Sequence, residues 1–274
     1  MPVWKKLNPQ TGKYETVPGG EIMGATTHDK TPVFPELAGK TAIFLGDSYT
    51  YQSAAMLKNM CAELNMSADN RGIVSSTITG SADGNKGYQP MWKRAQDICA
   101  EYTANGTTAN VALVVFMGGQ NDGFGPDTFL GRSIAETSNE RIYGAMHTIL
   151  NAFRKTFPKA KILVVLQPPS FNGSVASVTD NNTAVAMGFP DLVTLQRMDD
   201  YQFSNYAMYQ KESIVRDVAE FYSTDILDCC FGWYSVLNAD HREKYWSADR
   251  IHLNTIGYEA LVARIKTKIV EMYI

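Results

Sequence analysis

Three short stretches of this chain carry residues whose types and spacing suit nucleophilic chemistry. Ser48 closes the run Phe44-Leu45-Gly46-Asp47-Ser48, at the end of an apolar stretch and ahead of a helix-compatible one. A serine at such a turn has its hydroxyl near the positive end of a helix dipole, which favours developing negative charge. The triplet alone leaves open that Asp47 or Ser48 does no more than cap the next helix. Further on, Gly118-Gly119-Gln120-Asn121-Asp122-Gly123 holds three glycines, so the backbone can turn tightly and approach a ligand. An asparagine there often serves its own backbone, but over a reaction centre its NH2 is a neutral donor to an oxyanion. Near the carboxyl end comes Asp249-Arg250-Ile251-His252. A serine needs a base to attack at neutral pH, and the base needs a partner that fixes its tautomer; Asp249 and His252, three apart, can supply both.

Competitors are few. Of the four histidines, His28 lies in a Pro- and Gly-rich amino-terminal stretch, His147 in a long helical pattern and His241 in the solvated run Asp240-His241-Arg242-Glu243. The four cysteines show no CxxC spacing: Cys61 and Cys99 fall in helix-like patterns, and Cys229 and Cys230 end an apolar run. They read as buried reduced thiols, which argues against a zinc site or a disulfide scaffold. A net charge of -3 argues against a nucleic-acid binder. No GxGxxG or P-loop follows the first apolar run, so a nucleotide-binding domain is disfavoured. The longest apolar run, 111–117, is far short of a membrane span. No signal peptide is visible at the amino terminus as given, and a cytoplasmic or virion-associated location is expected.

Elements must bring these stretches together. Short apolar runs at 41–45, 72–74, 111–116, 161–166 and 225–227 alternate with helix-like segments near 50–66, 90–104, 133–156, 195–222 and 255–272. Runs that are apolar throughout, alternating with amphipathic helices, predict a doubly wound three-layer α/β/α domain around a parallel sheet of about five strands. Ligands in such folds bind beyond the carboxyl ends of the strands, where Ser48, Asn121 and the 249–252 loop all fall. Residues 1–38, rich in Pro and Gly and without period, read as an extended arm or linker, and 39–274 as one domain; 274 residues suffice for a large core without disulfides.

In that order and spacing the motifs resemble the SGNH hydrolase superfamily, the GDSL-type esterases, over about residues 40–274. The resemblance implies a flavodoxin-like fold and hydrolysis of carboxylic esters. It matches Ser48 to the nucleophile, Asn121 in Gly119-Gln120-Asn121-Asp122 to an oxyanion donor, and Asp249 with His252 to the remaining triad pair, with Gly46, Asp47, Gly119 and Asp122 as motif support. The run from His252 to Leu261 is similar to the family's opening of its last helix. In the second block, Asn70-Arg71-Gly72-Ile73-Val74-Ser75-Ser76-Thr77, Ser75 stands where the family carries its oxyanion glycine, so the second backbone donor is Ser75 or, failing that, Gly72. No cofactor is implied, and the partner is a small-molecule or glycan ester.

Two further segments bear on substrate. Residues 168–194 read as a polar insertion overhanging the site, and Phe231, Trp233, Tyr234, Tyr245 and Trp246 could stack on sugar rings or pack the loop onto the core. Short acyl groups, acetyl above all, carried on a carbohydrate are the expected substrate. The stretch Trp4 to Glu15 is similar to adaptor segments of phage tail-associated proteins, so attachment to a larger assembly through the arm, with glycan recognition or deacetylation by the domain, is the alternative expectation.

Overall fold

Three of the apolar runs are apolar because both of their faces are covered. In a computed structural model, which describes residues 5–7, 14–16, 34–82, 88–123, 133–171, 176, 178–230 and 238–274, they form strands β3 (Thr41–Gly46), β5 (Val111–Met117) and β6 (Lys161–Leu166), buried along almost their whole length. With β4 (Ser67–Gly72) and β7 (Asp225–Asp228) they make a parallel sheet in the order β4-β3-β5-β6-β7. This order reverses between β3 and β5, as in flavodoxin-like folds, and the crevice at that reversal is where such folds place ligands. Among the described residues, two further strands, β1 (Lys5–Leu7) and β2 (Tyr14–Thr16), pair antiparallel with each other.

Helices cover both faces, as the alternating pattern predicts. One core joins α3 (Met91–Ala104), α4 (Ile142–Thr156) and α7 (Asp200–Phe221) to the sheet through Ile98, Met146, Phe153, Val164 and Val215. The other joins α2 (Ala54–Glu63) and α9 (Thr255–Tyr273) through Leu57, Phe44, Val165, Leu261 and Ile265. The two cores lie between the sheet and the two outer helical layers of a three-layer α/β/α architecture.

The elements depart from expectation where local chemistry outweighs periodicity. The apolar run 72–74 follows a strand instead of forming one: β4 is the polar stretch before it, half-buried because it pairs only with β3 at the sheet edge. Val74 is left 40% exposed. The helix expected from 133 begins at Ile142, because Glu136 accepts from the N–H groups of Thr137 and Ser138 and so holds this stretch in turns. The expected 50–66 helix is split at Ser53, with α1 (Ser48–Gln52) ahead of α2, and Ser53 Oγ donates back to the Tyr49 carbonyl at 2.7 Å.

The 168–194 segment is no plain polar overhang: its described part forms α5 (Asn181–Ala186) and the start of α6 (Leu192–Gln196) and buries Val178, Ala184, Met187 and Phe189 in the first core. Contacts divide the chain into Met1–Val33, which carries β1 and β2, and Phe34–Ile274. Phe34 and Leu37, within the stretch read as arm, are buried in the second core. All four cysteines are free and buried.

Candidate active site

The turn from β3 into α1 is built around a close approach. A Cβ on Gly46 would lie 2.1 Å from both the Met117 carbonyl and Thr50 Oγ1, so only glycine lets the first turn of α1 sit against β5. Asp47 then caps α1, accepting from the Tyr49 N–H at 3.0 Å, and Ser48 takes the first helical position. Ser48 N–H bonds to no described residue and remains an unsatisfied donor at the helix amino terminus.

The carboxyl-terminal loop reaches the same point. It is closed at its base by the pairing of Trp246 with Leu253 and by hydrogen bonds between Tyr245 and Asn254 and between Ser247 and His252. α8 (Ala239–Tyr245) leads into the loop, and Asn254 caps α9 after it. Arg250, in the left-handed region at φ 60°, turns the chain so that Asp249 faces back onto His252. His252 Nδ1 is 2.7 Å from Asp249 Oδ2 and Nε2 is 2.9 Å from Ser48 Oγ, so the three side chains form one continuous hydrogen-bonded row. Asp249 Oδ1 accepts from Ser247 Oγ at 2.5 Å and from the N–H groups of Ile251 and His252, each at 2.9 Å. Partial burial works to raise the Asp249 carboxyl, but those donors, led by the His252 N–H, outweigh it and hold the group well below the usual range. Tyr49 fastens this loop to the β3–α1 turn, its hydroxyl donating to the Ile251 carbonyl at 2.6 Å.

The second and third blocks both touch the β3–α1 turn, Ile73 N–H donating to the Gly46 carbonyl at 3.1 Å and Gln120 N–H to Asp47 at 3.3 Å. Asn121 Nδ2 donates one hydrogen to the Ser76 carbonyl at 3.0 Å, which fixes the amide plane and leaves its other N–H available. Asp122 binds the two blocks, accepting from Ile78 N–H, Thr79 N–H and Thr79 Oγ1 at 2.8, 3.0 and 2.8 Å. Ser75 adopts φ 62° and is exposed, and its N–H bonds to no described residue. Gly72 does not offer a donor: its N–H is held by Asn70 Oδ1 at 2.9 Å. Its lack of a side chain serves packing, since a Cβ there would lie 2.4 Å from the Tyr51 nitrogen.

Sequence reasoning missed the polar frame behind these residues. Asp47 also accepts from Gln120 N–H at 3.3 Å and from Gln167 Nε2 at 2.9 and 3.0 Å on its two oxygens. Arg94, buried in α3, donates to Ser76 Oγ at 3.1 Å, to the Gly46 carbonyl at 3.4 Å and to the Arg71 carbonyl. Lys211 of α7, fully buried, reaches the backbone of the Asn121 loop. The available signal was a charged residue at a core register: Lys211 follows Met208 and precedes Val215 and Val218 on the buried stripe of its helix. Of the aromatic residues ahead of the loop, Tyr245 and Trp246 are buried in the second core and pack the loop, as one of the two expected readings had it. Phe231, Trp233 and Tyr234 lie outside the described residues, as does His28. His147 sits on α4 with Nε2 2.8 Å from the Ile134 carbonyl, and His241 sits on α8; the imidazole that bonds Ser48 is that of His252.

The profile of the GDSL-like lipase/acylhydrolase family matches residues 44–260, more than three quarters of the chain and every block described above. The chain belongs to the GDSL-like lipase/acylhydrolase family. It is thus a carboxylic ester hydrolase. No curated protein matches it in sequence. Among solved structures, a protein from Lactobacillus plantarum is similar with a TM-score of 0.59 at 19% identity, covering 86% of this chain and 99% of that one. An inhibitor-bound aryl esterase from M. smegmatis gives 0.53 at 14%, over 85% and 99%. A carbohydrate acetylesterase from Sinorhizobium meliloti gives 0.50 at 16%, over 85% and 99%. At such identities the likeness is one of fold. Among the described residues no helix of this GDSL-family hydrolase is long and apolar enough to cross a membrane.

Proposed function

We propose that Ser48, His252 and Asp249 act as a catalytic triad that hydrolyses short-chain esters, acetyl esters on carbohydrate above all. The observation that carries this reading is the row Ser48 Oγ, His252 Nε2, His252 Nδ1 and Asp249 Oδ2, with separations of 2.9 and 2.7 Å. His252 removes the Ser48 proton as Oγ attacks the ester carbonyl, and Asp249, kept ionised by its donors, stabilises the imidazolium. The negative charge of the tetrahedral intermediate is met by the N–H groups of Ser48 and Ser75 and by the Asn121 amide. His252 then gives its proton to the leaving alcohol, and water, activated by the same imidazole, releases the acid from Ser48.

The carbohydrate part of the reading is supported by the openness of the site. Ser48 itself is buried, but the Asp249 side chain is 47% exposed and Ser75 faces solvent, so the proposed triad and oxyanion donors border open solvent where a bulky alcohol portion can stand. The fold shared with a carbohydrate acetylesterase agrees with it. The test is a panel of p-nitrophenyl esters of rising chain length beside acetylated oligosaccharides, with acetate release measured for the native protein and Ser48→Ala. We expect acetate release from the native protein only. Undiminished hydrolysis by purified Ser48→Ala removes the nucleophile assignment, and a preference for long acyl chains removes the acetyl assignment.

A second reading, attachment to a virion or cell surface through the amino-terminal segment, has in its favour that Met1–Val33 forms a unit of its own with a two-stranded sheet. It is tested by whether Ser48→Ala protein binds cells or polysaccharide and loses that binding when residues 1–33 are removed.

A further inference from the structure

Lys211 occupies a place where a lysine is costly. It has no exposure, on the core-facing stripe of α7. Taking an ammonium out of water is strongly unfavourable unless its donors are satisfied. Here Nζ donates to the carbonyls of Gly119 at 2.7 Å, Asp122 at 3.0 Å and Gln120 at 3.3 Å. Three carbonyls from one stretch of four residues converge on a single cation. That requires a tight fold of the backbone, and Gly119 at φ 136° supplies a conformation that residues with side chains rarely adopt. In a buried place, convergent carbonyls with no donor between them would be both unsatisfied and mutually repulsive.

The fourth residue of the stretch is Asn121, whose side chain is turned to Ser76. The loop is thus gripped from two sides, by Asp122 on the Ile78 and Thr79 backbone and by Lys211 on α7. Burial lowers the Lys211 ammonium to about 8, with Asp122 and Glu212 pulling it back up, so it is largely charged at neutral pH.

We propose that Lys211 is a positioning residue for ester hydrolysis, whose ammonium sets the 119–122 loop so that the Asn121 amide meets the oxyanion. The inference rests on the reading of Asn121 as an oxyanion donor. A loop displaced by about 1 Å can lose a hundredfold in rate, while loss of one oxyanion donor costs roughly a hundredfold to a thousandfold.

The test is a double-mutant cycle on acetate release from p-nitrophenyl acetate, using the full chain as native protein, Lys211→Met, Asn121→Ala and the double variant, each checked for folding by its melting transition. Lys211→Met is expected to lower kcat by about tenfold to a hundredfold with KM within about twofold. In the Asn121→Ala background the same change should cost less than about twofold, since the group being positioned is already gone. A loss of folded protein alone would scale kcat equally in both backgrounds. Equal losses in the two backgrounds, or full kcat in Lys211→Met, overturn the inference and leave the oxyanion reading standing. Unchanged kcat in Asn121→Ala overturns that reading and the inference with it. Should Lys211→Met fail to fold, Lys211→Gln, which keeps a donor without the charge, takes its place in the same cycle with the same criteria.

Discussion

Replacing Asp47 by asparagine should change how the stability of this protein depends on pH, by an amount the structure supplies. Asp47 is fully buried one residue before Ser48. It accepts from Tyr49 N–H, Gln120 N–H and Gln167 Nε2, all of which favour the carboxylate, yet burial outweighs them and raises the carboxyl from 3.8 to about 6. Between those two values the fold keeps a proton that the unfolded chain has released, so stability falls as pH rises. The fall is about 1.4 kcal/mol per pH unit, or about 3 kcal/mol across the whole window. Below the window the term vanishes, and above it the full cost of a buried carboxylate persists. Asparagine keeps the cap on α1 and removes the titration. Asp122 and Glu212, also raised by burial, tilt both proteins in the same direction, and the depressed Asp249 acts below the window, so the difference between the proteins is dominated by Asp47 and its coupling to these buried neighbours. Urea unfolding at pH 4, 5, 6 and 7, extrapolated to water at constant slope, measures it. The native protein should lose about 2 kcal/mol relative to Asp47→Asn between pH 4 and pH 7. Parallel stability curves, with a difference constant to about 0.5 kcal/mol, would refute the claim that burial governs this carboxyl.

Two substitutions in the second block separate backbone from side-chain roles. Ser75→Gly should keep kcat within about threefold, because only the N–H is used, and should stabilise the fold by about 0.5 kcal/mol as relief of the left-handed strain outweighs the added chain entropy; a tenfold loss of kcat would show that the hydroxyl acts. Gly72→Ala should cost 3 kcal/mol or about that, since its Cβ would meet Tyr51 backbone that cannot move without shifting α1; a melting temperature unchanged by this substitution contradicts the close approach of β4 and α1.

The parts of the fold that could be read from sequence are those where burial on two faces leaves no choice of residue. Strands β3, β5 and β6 match their apolar runs within a residue, since every position past the first residue of β3 and β6 is pressed between two helical layers. Strand β4 escaped because an edge position tolerates Asp69, Asn70 and Arg71, and the apolar residues that follow belong to the loop carrying Ser75. The start of α4 escaped for a different reason: Ser133 to Arg141 has helical spacing but enough side-chain acceptors to satisfy a backbone of turns.

The site divides in the same way. Ser48, Asn121, Asp249 and His252 are legible because the chemistry proposed for them demands particular residue types at strand ends, and the structure places Ser48, His252 and Asp249 in one row with Asn121 anchored to the neighbouring block. The groups that hold them are illegible as motifs, because any donor of suitable length arriving from any element would serve. Lys211 reaches Gly119 across 92 residues and Gln167 reaches Asp47 across 120. Such residues show in a sequence only as breaches of the hydrophobic pattern, a lysine where the helix period calls for a leucine. The breach is informative because it is costly: a charge survives at a core register when something there needs it, and at Lys211 that something is a loop of three convergent backbone carbonyls.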